Sequence, residues 1–316
     1  MPFKRLGLSL AITLASMSIV PAAFAADKLT VMLEWFVNPD HAPLIVAKER
    51  GYFAEQGLEV ELIPPADPSS VPRLVAAGQA DIGIHYQPSL YLDHQAGLPI
   101  KRFGTLIETP LNTVTVLSDG PIKDLKDLKG KTVGFSVSGF EDAMLGQMLR
   151  SVDLSIEDVT LINVNFALSQ SLLSKQVDAT IGGFRNFEIT QIALEGGKAK
   201  AFLPEDHGVP LYDELVFIAK SDQLGDDKFK RFLNAVERGA LNLTNDPKGA
   251  WELFIKAYPN LDDELNSRAF ADTLPRFAKR PAALDKGRYT RFGQFMKETG
   301  LIKETPSLEE ITIELR

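Results

Sequence analysis

A chain of 316 residues, 45% hydrophobic and with a formal charge of −8, is long enough to bury one large core or two smaller ones. Its 42 acidic side chains outnumber 34 basic ones, which leaves no broad cationic surface for a phosphate backbone and excludes a general nucleic-acid binder. Without cysteine it holds no disulfide framework, thiolate nucleophile, iron–sulfur cluster or cysteine-based zinc site, and its four histidines leave little for any other metal.

Residues 1–25 read as an export signal. Lys4 and Arg5 open it, an apolar stretch runs from Leu6 to Val20, and Ala23-Phe24-Ala25 places small residues at the cleavage site. The apolar core contains Ser9, Thr13, Ser16 and Ser18 and falls short of the roughly 20 residues a membrane span needs. Cleavage removes Lys4 and Arg5 and takes the charge from −8 to −10. The expectation is a periplasmic, freely diffusing monomer with no membrane insertion after cleavage.

From Lys28 onward short apolar runs alternate with helical patterns, which predicts an α/β fold with mixed, mostly parallel sheets. KLTVMLEW is a strand. Residues 41–56 form a helix with Leu44, Ala47 and Phe53 on one face, Gly57 stops it, and LEVELI resumes as a strand. SSVPRLVAAG is a helix capped by Ser69 or Ser70, ADIGIHY a third strand and SLYLDHQAG a short helix. The series then repeats with GKTVGF, a helix from Phe140 to Ser151, DVTLINV, the helix ALSQSLLSKQ and VDATIGGF. Two such units predict two lobes. LNTVTVLS and YDELVFIAKS are predicted as the strands that cross between them, giving lobe 1 at 26–117 plus 212–316 and lobe 2 at 118–211. Beyond them Phe229, Phe232, Leu233, Val236 and Ala240 make one helical apolar stripe, and Tyr289, Phe292, Phe295 and Met296 another.

In such folds ligands sit at the carboxyl ends of parallel strands, and four loops there carry suitable chemistry. Glu34-Trp35-Phe36-Val37-Asn38-Pro39-Asp40-His41 offers a flat ring in Trp35 and hydrogen-bonding groups in Asn38 and His41, or else a buried tryptophan ahead of a helix capped by Asp40. After ADIGIHY, strand alternation points His85 and Tyr86 to opposite faces, and Tyr86 is the one expected to oppose Trp35 across a planar ligand. Gly134 to Gly139 places Ser136, Ser138 and Gly139 before a helix, where backbone amides hold an anion or carbonyl or Ser138 simply caps. It is neither GxGxxG nor a Walker loop. In Ile181 to Glu188, Phe184 offers a ring, while Asn186 and Glu188 either recognise an aminopyrimidine or serve as helix cap and first-turn acid.

LEWFVNPDHAPLIVAKERGYFAEQGLEVEL, PADPSSVPRLVAAGQADIGI, GFSVSGFED and IGGFRNFEI followed by DHGVPLYDELVFIAK together resemble the thiamine-pyrimidine branch of the periplasmic binding protein superfamily, whose fungal relatives are the hydroxymethylpyrimidine phosphate synthases. GYFAEQGLEVEL and GQADIG are shared with nitrate, sulfonate and taurine binders and speak to fold alone. EWFVNPDH and GGFRNFE place Trp35, Asn38, His41 and Glu188 where the pyrimidine binders put ligand contacts. The resemblance implies a two-lobed type II binding fold, a formylaminopyrimidine or hydroxymethylpyrimidine ligand and an ABC permease partner, with no metal or cofactor. The synthases' pyridoxal-phosphate lysine and substrate histidine are replaced by His85 and Ser89, and their cysteine-rich iron segment has no counterpart. The expected protein is therefore a binder and not an enzyme. Glu34 and Glu214 are candidates for ligand contact or for the hinge. Arg185 is the cleft cation that an alternative sulfonate or taurine ligand would need.

Overall fold

The computed structural model describes residues 25–315; the export signal expected at residues 1–25 lies, Ala25 apart, outside the described residues. Ten strands form in chain order: β1 (Asp27–Met32), β2 (Leu58–Ile63), β3 (Ile82–His85), β4 (Ile100–Ile107), β5 (Asn112–Leu117), β6 (Thr132–Phe135), β7 (Thr160–Asn163), β8 (Ala179–Phe184), β9 (Ala199–Phe202) and β10 (Leu215–Lys220). They make two five-stranded sheets, ordered β2-β1-β3-β10-β4 and β7-β6-β8-β5-β9. In the first, β1 runs parallel to β2 and β3; in the second, β6 runs parallel to β7 and β8. One strand opposes its neighbours in each: β10 against β3 and β4, and β5 against β8 and β9. These are the strands that follow the two passages of the chain from one unit to the other.

That arrangement corrects the expected crossovers. NTVTVL lies wholly within the second sheet as β5, and LVFIAK wholly within the first as β10. The chain passes between units just before each strand, through residues 108–111 and 203–214. The reason lies in the composition of β5: five of its six residues are buried, and an unbroken run of valine and threonine suits a sheet interior covered on both faces better than a strap across solvent.

Two helix expectations also change. The helix predicted over 41–56 is divided into Ala42–Glu49 and Tyr52–Glu55, because Gly51 adopts a left-handed φ of 76° between them. Before β3, Asp67 and neither serine is the cap: its carboxylate accepts the Ser69 amide at 2.8 Å and opens the 3-10 turn Pro68–Ser70 that leads into Val71–Ala76.

The apolar stripe of the helix Asp227–Asn245 is buried as its spacing requires, with Phe232 stacked on Phe53 at 5.4 Å. Gly239 lets this helix approach Ala42–Glu49 closely, since a Cβ there would stand 2.2 Å from the Pro43 carbonyl oxygen. The second passage is anchored by Asp213. Its carboxylate accepts from Tyr289 at 3.0 Å and Thr105 at 2.9 Å and pairs with Arg288, while its amide donates to Gln87 at 2.7 Å. The first unit is thereby fixed on one side of the passage, and the loops at the strand ends of both units face one another.

Candidate functional site

A cavity of about 410 Å³, counting the part that opens to solvent, lies between the units. Glu34, Trp35, Asn38, Asp40 and Tyr86 line it from the first, and Glu141, Leu168, Gly182, Phe184, Phe187 and Glu188 from the second.

The loop after β1 turns on Asn38. Its Oδ1 accepts the Asp40 amide at 2.7 Å and its Nδ2 donates to the Phe36 carbonyl at 3.1 Å, so Asn38, where Asp40 was expected, is the cap. The Asn38 amide donates to His41 Nδ1 at 3.2 Å, which leaves the ring proton on Nε2, directed at both carboxylate oxygens of Glu34 at 3.0 and 3.1 Å. His41 is fully buried and does not reach the cavity; it holds Glu34 in the wall. Burial opposes charge on His41, but the Glu34 carboxylate beside it outweighs that and raises its pKa.

Asp40 is buried against a contact that joins the units. Its Oδ1 accepts from Asn186 Nδ2 at 2.7 Å and lies 2.9 Å from Thr273 Oγ1, and Asn186 Nδ2 also reaches Thr273 at 2.6 Å. Burial pushes the Asp40 carboxyl up to about 6, with His41 pulling the other way. Asn186 is therefore a bolt between the units and does not line the cavity.

At the end of β3 the alternation holds. Tyr86 lines the cavity, whereas His85 turns away to Asp93 at 2.7 Å. The arrangement around Tyr86 differs from an open sandwich, because one face of its ring stacks on Phe140 of the second unit, with centroids 4.9 Å apart and planes at 19°. Trp35 sits edge-on to Phe166 of the second unit at 4.6 Å.

The loop after β6 is the largest departure from expectation. The Ser136 hydroxyl donates to the Asn165 carbonyl and its amide to Glu141 at 2.6 Å, while the Ser138 amide goes to Ser69 Oγ at 3.1 Å. Ser138 and Gly139 are exposed at the rim. Donors expected for a ligand are thus spent on the protein, and the helix Glu141–Arg150 begins without a side-chain cap. What reaches the cavity is Glu141, which the sequence reading passed over. Burial pushes its carboxyl up to about 8. It rests on Gly182, where φ is 103° and a Cβ would come within 2.2 Å of Glu141 Oε1. The Gly182-Gly183 pair inside a strand pattern, a mark of close approach by another group, was the available signal.

After β8, Glu188 Oε2 accepts the Phe184 amide at 2.6 Å and burial pushes the carboxyl up to about 7. Arg185 points away from the cavity. It pairs with both oxygens of Glu205 at 2.5 and 3.0 Å and donates to the carbonyls of Leu111 and Asn112 at 3.3 and 3.2 Å. Glu214 accepts the amides of those same two residues, and burial pushes it up to about 7. Both residues thus fasten the first passage between the units and line no part of the cavity.

A family model described as NMT1/THI5 like matches residues 38–250. The chain belongs to the NMT1/THI5-like family. A thiamine biosynthesis protein of Haemophilus influenzae is 49% identical over 294 residues, 93% of this chain and 94% of that one. The formylaminopyrimidine-binding protein of Halalkalibacterium halodurans is 36% identical over 220 residues, 69% and 67% of the two chains. The 4-amino-5-hydroxymethyl-2-methylpyrimidine phosphate synthase of Uromyces fabae is 31% identical over 261 residues, 78% and 75%. In fold, this NMT1/THI5-like chain matches the alkanesulfonate-binding protein of Xanthomonas axonopodis pv. citri bound to MOPS, with a TM-score of 0.70 and 16% identity over 92% of this chain and 99% of that one. The architecture is accordingly the two-lobed periplasmic binding fold.

Four acids of this NMT1/THI5-like protein, Glu34, Asp40, Glu141 and Glu188, face the cavity, and among the described residues lining it there is no lysine, arginine or histidine. An anion entering would meet like charge or cost the acids their charge, whereas a cation or a ring carrying N–H donors would be stabilised. Among the described residues no group of three His, Asp or Glu is placed to hold a metal ion, and no helix is long and apolar enough to cross a membrane.

Proposed function

We propose that the protein is the solute-binding component of an ABC importer that captures a thiamine-related aminopyrimidine, formylaminopyrimidine or hydroxymethylpyrimidine, in the periplasm by closure of its two lobes. The observation that carries this reading is the cavity itself: acids without a basic partner in its lining, beside the rings of Trp35, Phe184, Phe187 and Tyr86. A 4-aminopyrimidine presents an exocyclic amine next to a ring nitrogen. Glu188, whose Oε2 is held by the Phe184 amide, accepts from the amine through its other oxygen. Glu141, with its carboxyl near 8, keeps its proton at neutral pH and donates to a ring nitrogen. Aromatic faces bind any planar ring, so these acids supply the selectivity.

A sulfonate or taurine ligand is disfavoured because Arg185, the cation it would require, is committed to Glu205 and the passage carbonyls. A synthase-like reaction through a Schiff base needs an amine, and no lysine is among the described residues lining the cavity; the positions implicated by resemblance are His85, bonded to Asp93, and Ser89, which is buried. The thiamine-linked relatives support the ligand class. The fold and the signal read in the sequence support the permease partner and the periplasmic location.

Thermal unfolding of the protein, refolded from denaturant to strip carried-over ligand, tests the reading. At free pyrimidine about 100 times Kd the folded state gains roughly 2.7 kcal/mol, several degrees for a chain this long. A rise with either pyrimidine and none with taurine supports the proposal; a rise with taurine alone overturns it.

A further inference from the structure

The passages between the units run from β4 to β5 and from β9 to β10, and these four strands stand together at one end of each sheet order. β2 and β1 stand at the other end of the first sheet, β7 and β6 at the other end of the second. A rotation about the passages separates groups at this far end most, so a contact made there is the one a hinge motion breaks most completely.

Two contacts join the units at that end. Ser69, after β2, accepts the Ser138 amide at 3.1 Å. The loop after β1 meets the loop after β7 through three rings: Phe166 stands 4.6 Å from Trp35, edge-on, and 4.3 Å from Phe36, with Trp35 and Phe36 6.4 Å apart. The Trp35 side chain of the first unit also packs on Val164, Leu168 and Val177, a small apolar cluster that belongs wholly to the second.

Phe166 is aimed from its own side. Asn165 before it adopts a left-handed φ of 51°, a conformation asparagine tolerates better than most residues. The Asn165 amide donates to Asn163 Oδ1 at 2.8 Å and its carbonyl accepts the Ser136 hydroxyl. All these bonds lie within the second unit, so they place the ring independently of the first. Phe36 is 52% exposed, and neither it nor Phe166 is among the residues lining the cavity between the units. Both rings are therefore spent on each other and on Trp35, across the gap between the units.

We propose that Phe166, clasped by Trp35 and Phe36, is a latch at the mouth of the cleft that sets how long the two lobes stay shut and takes no part in recognising what they hold. The proposal rests on the lobe closure proposed above and not on the identity of the ligand. Ring pairs of this kind stabilise only the arrangement in which they touch. A ligand meets the open form, where the pairs are broken, so their loss speeds opening and escape and leaves encounter nearly unchanged.

The test uses Trp251→Phe protein, which leaves Trp35 as the only tryptophan; Trp251 packs on Phe254 and Phe270, away from the cleft. Trp35 emission is followed in stopped flow with 4-amino-5-hydroxymethyl-2-methylpyrimidine, and its quenching by acrylamide is measured without ligand. Phe166→Ala should raise koff roughly ten-fold and change kon at most about two-fold. Phe36→Ala, at an exposed ring whose loss does not threaten folding, should raise koff at least about three-fold, and Phe166→Tyr, which keeps the ring, should stay within about two-fold of the parent. The clasp involves protein groups alone, so Phe166→Ala should also raise the quenching of Trp35 at least about two-fold in ligand-free protein. Unchanged quenching, an unchanged koff, a loss carried by kon, or a tyrosine variant as impaired as the alanine one overturns the latch and leaves the pyrimidine reading standing. If the parent does not bind the probe, the pyrimidine reading falls and the quenching comparison alone decides the latch.

Discussion

Replacing Glu188 by Gln should stabilise the ligand-free protein by an amount that grows with pH, while weakening ligand binding. Burial carries the Glu188 carboxyl from 4.5 to about 7 in the folded state, against the opposing pull of the Phe184 amide. The folded protein thus holds this proton more tightly than the unfolded chain. The associated stability is fully present below about 4.5, the ordinary value, and is lost as pH rises through about 7. At 1.36 kcal/mol per pKa unit the whole effect is roughly 3 kcal/mol. A glutamine never ionises, and its side-chain oxygen still accepts the Phe184 amide that Glu188 now holds at 2.6 Å. Urea unfolding of ligand-free wild type and variant across pH 5 to 8 should show the variant's relative stability increasing by roughly 2–3 kcal/mol over that range. The same variant should bind aminopyrimidine at least ten-fold more weakly, because an amide cannot accept two hydrogen bonds in one plane as the carboxylate does. A stability difference that stays flat from pH 5 to pH 8 would refute the claim that Glu188 is held in the wall at the expense of its charge.

Three further outcomes follow from the same geometry. Gly182→Ala should cost at least about 2 kcal/mol in denaturant unfolding and abolish tight binding, because its Cβ meets the Glu141 carboxylate at 2.2 Å and its φ of 103° disfavours any side chain. Asn186→Ala removes the bonds to Asp40 and Thr273 that join the lobes; titration should show affinity falling about ten-fold for every pyrimidine alike, since a lost closure contact carries no information about the ring. Arg185→Ala should lower stability by about 2 kcal/mol through the unpaired Glu205 and passage carbonyls, and thermal scans should show the ranking of pyrimidine over taurine unchanged.

The parallel units were legible because strand and helix periods alternate with little ambiguity from Lys28 to Phe184, and the loops after β1, β3 and β8 could be named from topology before any contact was known. Trp35, Asn38, Tyr86, Phe184, Glu188 and Glu34 all stand in the cavity wall. What periodicity could not convey was the direction in which polar side chains point once two units meet. Asn186 and Ser136 have donors suited to a ligand, yet the first bonds Asp40 and Thr273 and the second Asn165 and Glu141. Arg185 looked like a cleft cation because its partner, Glu205, lies twenty residues on in a turn with no periodic signal. Asp40 was read as a helix cap and Glu141 was not singled out, and only burial distinguishes the two from an ordinary cap and first-turn acid. The place of Asn112–Leu117 was hidden for a related reason: an extended run of valine and threonine looks the same whether it crosses between sheets or lies within one.

The central claim is that paired acids select an aminopyrimidine. Calorimetric titration of the ligand-stripped protein with 4-amino-5-hydroxymethyl-2-methylpyrimidine, with the same ring bearing oxygen in place of the 4-amino group, and with taurine measures it most directly. The account predicts a Kd of about 1 μM or tighter for the amine, equivalent to roughly −8 kcal/mol, at least 100-fold weaker binding of the oxygen analogue, and no heat from taurine. Equal affinity for amine and oxygen rings, or binding of taurine in preference to both, would contradict it.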